Sequence, residues 1–103
     1  MIYAVDFDGT LCSYKWPDIG IPNKPLIYIL AEKRKHGHSV ILWTCRVGDK
    51  LKEAVDWCKE QGLEFDAINE NIPEIRKKFD TDSRKIFANV YIDDRAVAPD
   101  DVF

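Results

Sequence analysis

The sequence predicts a three-layer α/β sandwich in which helices cover both faces of a parallel sheet. Three observations lead to this prediction. Short apolar segments alternate with segments of helical periodicity, seven elements follow one another as strand, helix, strand, helix, strand, helix, strand, and each apolar segment is nearly continuous. Continuous apolarity is typical of parallel strands buried on both faces, and this alternation favours parallel pairing through right-handed crossovers.

Four segments rich in branched or aromatic residues are predicted as strands. They are Ile2–Val5, Ser39–Trp43, Phe65–Ile68 and Val90–Ile92. Each is short and nearly continuous in apolar residues. We therefore expect a sheet of four strands.

Three segments with apolar residues at helical spacing are predicted as helices. The first covers about Lys24–Lys35 and turns one stripe inward, consisting of Leu26, Ile27, Leu30 and Ala31. The second covers about Asp49–Gln61, ends at Gly62 and turns inward Leu51, Ala54, Val55 and Cys58. A shorter third helix begins near Pro73 and shares one face among Ile72, Ile75, Lys78 and Phe79.

Residues 11–23, LCSYKWPDIGIPN, do not fit the alternation. Pro17, Gly20 and Pro22 break any helical pattern in this stretch. We expect a loop or small hairpin beside the carboxyl end of the first strand, and we term it the flap. Its Tyr14, Lys15 and Trp16 either stack on a base or sugar of a ligand or simply pack the flap against the domain.

Length and composition indicate one cytoplasmic domain covering residues 1–103. With 46% hydrophobic residues, the 103-residue chain can bury one core but has no room for a second. The net charge of −3 and the lack of a long basic run argue against broad attraction to nucleic acid or anionic membrane. No apolar run approaches the ~20 residues of a membrane span, and three cysteines without a CxxC pair favour reduced thiols.

Polar side chains follow every predicted strand. Because ligands of open parallel sheets bind beyond the carboxyl ends of the strands, these side chains are the candidate site. The first strand is followed by Asp6, Asp8, Gly9 and Thr10, the second by Thr44 and Arg46, the third by Asn69, Glu70 and Asn71, and the fourth by Asp93, Asp94 and Arg95. Carboxylates, a hydroxyl and cations should meet at one edge.

The four carboxylates at this edge indicate a bound cation. At ~4 Å and an effective dielectric constant near 20, each close pair of them costs about 4 kcal/mol. The donors are oxygens and no His or Cys pair has ligand spacing, which favours Mg²⁺. Asp6 and Asp8 stand two residues apart, so on an extended backbone both point to one substrate, and Gly9 permits a sharp turn after them. One carboxylate can then attack phosphorus while its neighbour transfers protons.

The motifs resemble those of the haloacid dehalogenase superfamily. DFDGT after an apolar strand, ILWT ending in Thr44, a lysine upstream of the last strand, and YIDD are similar to its four ordered motifs, from Ile2 to Arg95. The resemblance implies a Rossmann-like α/β sandwich and a Mg²⁺-dependent phosphatase. It implies that Asp6 is the nucleophile that forms an aspartyl-phosphate, and that Asp8 is the general acid/base whose backbone carbonyl also binds Mg²⁺.

The same resemblance implies roles for further residues. Thr44 would hydrogen-bond the phosphoryl group, and Asp93 and Asp94 would complete the metal site. Lys85, eight residues before Asp93, is the preferred charge-balancing lysine, with Lys77 and Lys78 as rivals. Substrate contacts are expected from Gly9, Thr10 and Arg46, although a surface ion pair is the alternative for Arg46.

The sequence has no room for the cap domain that many members of the superfamily insert. An open site would admit a phosphorylated small molecule or a macromolecule end, or a second subunit would cover it in a homo-oligomer. The alternatives to a phosphatase are a phosphotransferase of the same superfamily, a receiver-like domain that accepts phosphate, and a binding protein without turnover. An acidic turn followed by a helix cap is the structural alternative for DFDGT.

Overall fold

The computed structural model describes residues 1–102, so Phe103 of the predicted domain lies outside the described residues. In chain order the elements are β1 (Ile2–Val5), α1 (Lys24–Lys35), β2 (Ser39–Leu42), α2 (Gly48–Glu60), β3 (Ala67–Ile68), α3 (Pro73–Phe79), β4 (Val90–Ile92) and a 3-10 turn at Pro99–Asp101. The predicted bounds of β1, β4 and α1 are confirmed to the residue.

The strands form one parallel sheet in the order β3-β2-β1-β4. Strand β1 lies in the middle, where Val5 pairs in register with Leu42 of β2 and with Ile92 of β4. This register brings the carboxyl ends of three strands to one edge. The three-layer α/β fold is confirmed, and the described residues contain no inserted cap domain.

Alternate residues of the strands form two cores, one on each side of the sheet. On one side, Tyr3 and Val5 of β1 and Val40 and Leu42 of β2 belong to a cluster that includes buried residues of both long helices, Ile27, Leu30, Ala54 and Cys58. On the other side, Ala4 and Ile41 belong to a smaller cluster with Ala67, Ile72, Ile86 and Ala88. Burial of both faces explains the continuous apolarity of the strands.

Four predicted details differ from the structure. Strand β2 ends at Leu42 rather than at Trp43, and α2 covers Gly48–Glu60 rather than about Asp49–Gln61. Strand β3 begins two residues late, because the carboxylate of Asp66 accepts the Val40 N–H at 2.7 Å and occupies a donor of the neighbouring strand. The predicted inward face of α3 is wrong at its carboxyl end, where Lys78 and Phe79 are exposed. This short helix ends at Phe79, and Ile86 and Ala88 of the following segment cover the sheet instead.

The flap is a loop with its two ends held together, as predicted. Cys12 forms an antiparallel bridge with Pro22, and the Ser13 N–H donates to the carbonyl of Ile21 at 2.8 Å. Leu11 and Cys12 are buried, so the base of the flap is part of the core. Across residues 1–102, none of the helices combines the length and the apolarity that crossing a membrane requires.

Candidate active site

The carboxyl ends of the strands surround one open cavity of about 340 Å³. Backbone pairing continues one residue beyond β1, since Asp6 N–H donates to the carbonyl of Ile92 and Trp43 N–H to that of Val5, both at 2.9 Å. The strands then separate, and in open α/β sheets ligands bind beyond the carboxyl ends of the strands. Four carboxylates, from Asp6, Asp8, Asp93 and Asp94, line this cavity.

Three of these carboxylates form a compact group. Asp6, Asp93 and Asp94 each place one oxygen within 4.8 Å of an oxygen of the other two. Burial raises the pKa of Asp6 from 3.8 to about 6, and the charges of Asp93, Asp94 and Asp8 add to the increase. A carboxylate in this environment is stabilised by any nearby positive charge, whether a proton or a cation.

Gly9 and Thr10 hold Asp94 in this group. Gly9 has φ +85, and a Cβ there would stand 2.9 Å from Cγ of Asp94 and closer still to one of its oxygens. Thr10 is buried, and its hydroxyl accepts the backbone N–H of Asp94 at 3.1 Å. Neither residue is among those that line the cavity, so the expected substrate contacts are replaced by a role in positioning Asp94.

Asp8, the fourth carboxylate, is bound to Arg46 rather than to the group of three. Nε and Nη2 of Arg46 donate to the two Asp8 oxygens at 2.9 and 2.8 Å. These hydrogen bonds raise the pKa of the Arg46 guanidinium above its ordinary value, so that it stays charged although the residue is only 2% exposed. The sequence offers a surface ion pair as the alternative for Arg46. An ion pair is present, but it is buried.

The other donors of Arg46 bind the protein. Nη2 donates to the carbonyl of Asp18 at 2.8 Å, and Nη1 makes longer contacts, both 3.4 Å, with the carbonyls of Pro17 and Lys50. The guanidinium carbon lies 4.9 Å from the ring centroids of both Phe7 and Trp16. Arg46 thus lines the cavity beneath the flap with its donors directed at protein acceptors, and its expected contact with the substrate stays a prediction.

Thr44 is placed as expected. Its backbone N–H donates to Oδ1 of Asn69 at 2.8 Å, which fixes the turn after β2, and its hydroxyl accepts the Arg46 backbone N–H at 3.1 Å. That bond uses a lone pair and leaves the hydroxyl hydrogen free to donate. Thr44 also lines the cavity, as do the four carboxylates.

The expected lysine is not at the cavity. Among residues 1–102, none of the lysines lines it. Nζ of Lys85 lies 5.5 Å from the ring centroid of Tyr91, Nζ of Lys78 lies 5.4 Å from that of Phe79, and Lys77 is exposed on α3. The structure therefore contradicts the placement of Lys85 at the edge of the sheet, and it brings neither rival there.

Arg95, which the sequence placed at this edge without a specific role, lines the cavity, and so does Cys45, which sequence reasoning did not single out. Cys45 directly follows Thr44, and this adjacency was the signal that could have identified it. Tyr14 and Trp16 of the flap line the cavity as well, with exposed fractions of 60% and 50%. The flap therefore forms one wall of the site.

The segment after β3 is largely structural. Asn71 is 1% exposed, donates through Nδ2 to Asp82 at 2.9 Å and accepts the Phe87 N–H at 2.6 Å. These bonds tie the start of α3 to the segment that covers the sheet. Glu70 pairs with Arg76 at 3.6 Å. Neither residue lines the cavity.

Comparison with known proteins gives one strong similarity. No family model matches the chain, and no curated protein is significantly similar to it. The solved structure of a conserved protein from Bacteroides thetaiotaomicron is 42% identical, with a TM-score of 0.82, over 94% of this chain and 78% of that one. The description of that structure gives no activity, so the similarity concerns sequence and fold.

Proposed function

We propose that this chain, which belongs to the same family as the conserved Bacteroides thetaiotaomicron protein, is a Mg²⁺-dependent phosphomonoesterase. The observation that carries the proposal is the group formed by Asp6, Asp93 and Asp94 at the carboxyl edge of the sheet. Thr44, which follows the neighbouring strand, lines the same cavity. The ordered motifs that resemble the haloacid dehalogenase superfamily support the same assignment.

In the proposed reaction, the phosphoryl group moves to Asp6 and then to water. A carboxylate oxygen of Asp6 attacks phosphorus, the bond to the ester oxygen breaks, and the leaving alcohol takes a proton from Asp8. Water then attacks the phosphorus of the aspartyl-phosphate and gives a proton back to Asp8. The bond between phosphorus and the Asp6 oxygen breaks, inorganic phosphate leaves, and both carboxyl groups are restored. Thr44 donates its hydroxyl hydrogen to a phosphoryl oxygen.

Arg46 supports this reaction by fixing Asp8. Its two-pronged hydrogen bonds hold the Asp8 carboxyl in one orientation at the wall of the cavity. Because Trp16 and the carbonyl of Asp18 hold the same guanidinium, the flap and Asp8 are positioned together. Arg46 acts here as a positioning residue.

The three carboxylates of Asp6, Asp93 and Asp94 fit Mg²⁺ in charge and donor type. Three closely spaced carboxylate oxygens are suited to a hard divalent cation. The pKa of Asp6 is raised, and Asp93 and Asp94 are exposed. Asp6, Asp93 and Asp94 would hold it, with the backbone carbonyl of Asp8 as the further expected ligand. When bound, Mg²⁺ neutralises charge on the phosphoryl oxygens and lets the anionic substrate approach Asp6.

The open cavity suits phosphorylated small molecules or macromolecule ends, and a second copy of the chain is the proposed cover if the protein is a homo-oligomer. We also propose a cytoplasmic location. It is supported by three free cysteines, of which Cys45 is exposed beside the site and would be prone to oxidation elsewhere.

The proposal is tested with Asp6→Asn. We expect release of inorganic phosphate from p-nitrophenyl phosphate to fall at least about a thousandfold, because the amide cannot replace the nucleophile. Asp49→Asn, which removes an exposed carboxylate of α2, is the matched control and should retain activity. Unchanged turnover by Asp6→Asn would exclude Asp6 as the nucleophile, and absence of turnover in the unmodified protein would exclude the phosphatase assignment. Release that stops near one equivalent in the unmodified protein would favour a receiver-like domain.

A further inference from the structure

We propose that Arg95 binds the transferring phosphoryl group and takes the charge-balancing part that the sequence suggested for a lysine. This inference rests on the proposed function, since it concerns the same site. Arg95 directly follows Asp94 and lines the cavity. It would therefore contact the substrate itself, in contrast to the buried Arg46.

The charges around the cavity leave Arg95 as the available cation. Asp8 and Arg46 neutralise each other in a buried pair, with side chains 15% and 1% exposed. Asp6, Asp93 and Asp94 remain, with no ion pair to a basic side chain within the described chain. A phosphate dianion in front of these carboxylates needs positive charge beyond that of one Mg²⁺.

The guanidinium of Arg95 has free donors. Within residues 1–102 it makes neither a hydrogen bond nor an ion pair, whereas the donors of Arg46 are directed at protein acceptors. A guanidinium offers five N–H groups in a planar fork that matches two phosphate oxygens. Arg95 is thus the cationic group of the cavity that can bind an anion without losing a protein contact.

Two contacts place Arg95 at the cavity. Its backbone N–H donates to Oδ1 of Asp93 at 2.9 Å, which forms a tight turn directly after β4. The guanidinium carbon lies 5.6 Å from the ring centroid of Tyr14 in the flap. A cation over an aromatic face is attracted to it, and this holds the side chain across the cavity without using its N–H groups.

The lysines of the neighbouring segment do not compete for this part. Nζ of Lys85 lies over the ring of Tyr91, which is 40% exposed, and Lys78 lies over the exposed Phe79. Both are therefore directed to outer surfaces of the domain rather than into the cavity. Arg95 supplies the positive charge that they do not.

The test combines binding and turnover in Arg95→Ala. We expect the affinity for inorganic phosphate in the presence of Mg²⁺, measured by calorimetry, to fall roughly 10- to 100-fold, as does kcat/KM for p-nitrophenyl phosphate. Arg95→Lys should recover part of both. Arg84→Ala, which removes an exposed arginine outside the cavity, is the matched control and should change neither quantity. Because Arg95 makes no side-chain hydrogen bond in the fold, the melting temperature should stay unchanged.

Phosphate affinity that is unchanged in Arg95→Ala would overturn the inference. If Lys85→Ala lowered the affinity instead, the charge-balancing role would belong to Lys85. Failure of the proposed function looks different. If the unmodified protein released no phosphate from p-nitrophenyl phosphate while Arg95→Ala lost phosphate affinity, the phosphatase would be excluded and the anion-binding role of Arg95 would stand.

Discussion

The two arginines of the cavity occupy opposite environments. Arg46 is buried beneath the flap with a carboxylate partner, carbonyl acceptors and an aromatic ring on each side. Arg95 lines the cavity together with the carboxylates of Asp6, Asp93 and Asp94, and among residues 1–102 its guanidinium has only the Tyr14 ring as a partner. Where charges are satisfied within the protein they maintain structure, and where they are left unsatisfied they are available to a ligand.

The carboxylates divide in the same way. Asp8 is bound at both oxygens by Arg46, whereas Asp6 lies against Asp93 and Asp94 and has its pKa raised to about 6. Asp6 and Asp8 are two residues apart on one turn, so their difference arises from tertiary neighbours. An acidic pair that looks equivalent in the sequence is thereby separated into one carboxyl held by a buried ion pair and one whose pKa is raised.

The largest expected effect comes from removing the buried arginine. Arg46→Met should lower the free energy of unfolding by about 3 kcal/mol, because the Asp8 carboxylate and the flap carbonyls lose their partner while still partly shielded from water. Arg95→Met, at the exposed side, should change it by less than about 0.5 kcal/mol. Urea denaturation of both variants measures this contrast.

Equal destabilisation by the two substitutions would contradict this difference between the two arginines, because it would show that Arg95 also stabilises the fold. Double substitution of Arg46→Met with Asp8→Leu provides a further check. If the cost of the single variant comes from an unpaired carboxylate, removing that carboxylate should restore part of the lost stability.

Much of this contrast could not be predicted from the sequence, although the fold could. The strands and helices followed from periodicity and from the residues that end each element, and the register of β1 with its neighbours then placed Asp6 and Asp93 at one edge. The position of Arg46 two residues after Thr44 indicates the edge but not the enclosure of its side chain, since Trp16 and the carbonyl of Asp18, which contact it, belong to the flap.

The lysine was misplaced for a related reason. Lys85 lies in a segment without regular secondary structure, so its distance along the chain from Asp93 says nothing about where its side chain points. Arg95, in contrast, follows β4 within a turn closed by a hydrogen bond to Asp93. Residues adjacent to a strand end are predictable in position, whereas those in irregular segments are not.

An intermediate effect is expected at Gly9, which lies between the two environments. Gly9→Ala places a Cβ against the Asp94 carboxylate, and Gly37→Ala is its matched control, with a similar φ of +88 and nothing within 4 Å. Both should lose about 1 kcal/mol of stability from backbone strain. Only Gly9→Ala should also weaken Mg²⁺ binding, by about tenfold, because Asp94 is displaced.

Isothermal titration of Mg²⁺ into the two glycine variants gives this result directly. If both variants bound Mg²⁺ as tightly as the unmodified protein, the position of Asp94 would not matter for the cation. The three carboxylates of Asp6, Asp93 and Asp94 would then lose their proposed function as a Mg²⁺ site. Equal weakening in both would point to a general loss of structure rather than to the contact between Gly9 and Asp94.

The smallest expected effect is the pH dependence of Asp6. Its pKa is 3.8 when unperturbed and about 6 in the folded protein, so between these values the folded state binds more protons than the unfolded state. Rising pH should then lower the free energy of unfolding across this window, by about 1 kcal/mol once solvent screening of a half-exposed group is allowed for, with no further loss above pH 6. Asp6→Asn should remove this slope, and Asp49→Asn should keep it.

Added Mg²⁺ sharpens this last measurement, because the cation and the proton compete for the same carboxylate. We expect Mg²⁺ to raise the free energy of unfolding above pH 6, and the increase to disappear as the pH falls through that value. Urea unfolding between pH 4 and 7, with and without the ion, compares the two effects. If Mg²⁺ still stabilised Asp6→Asn, the cation would bind other carboxylates. If Mg²⁺ no longer stabilised Asp6→Asn but still stabilised Arg95→Ala, the metal-binding residue would be separated from the phosphate-binding one.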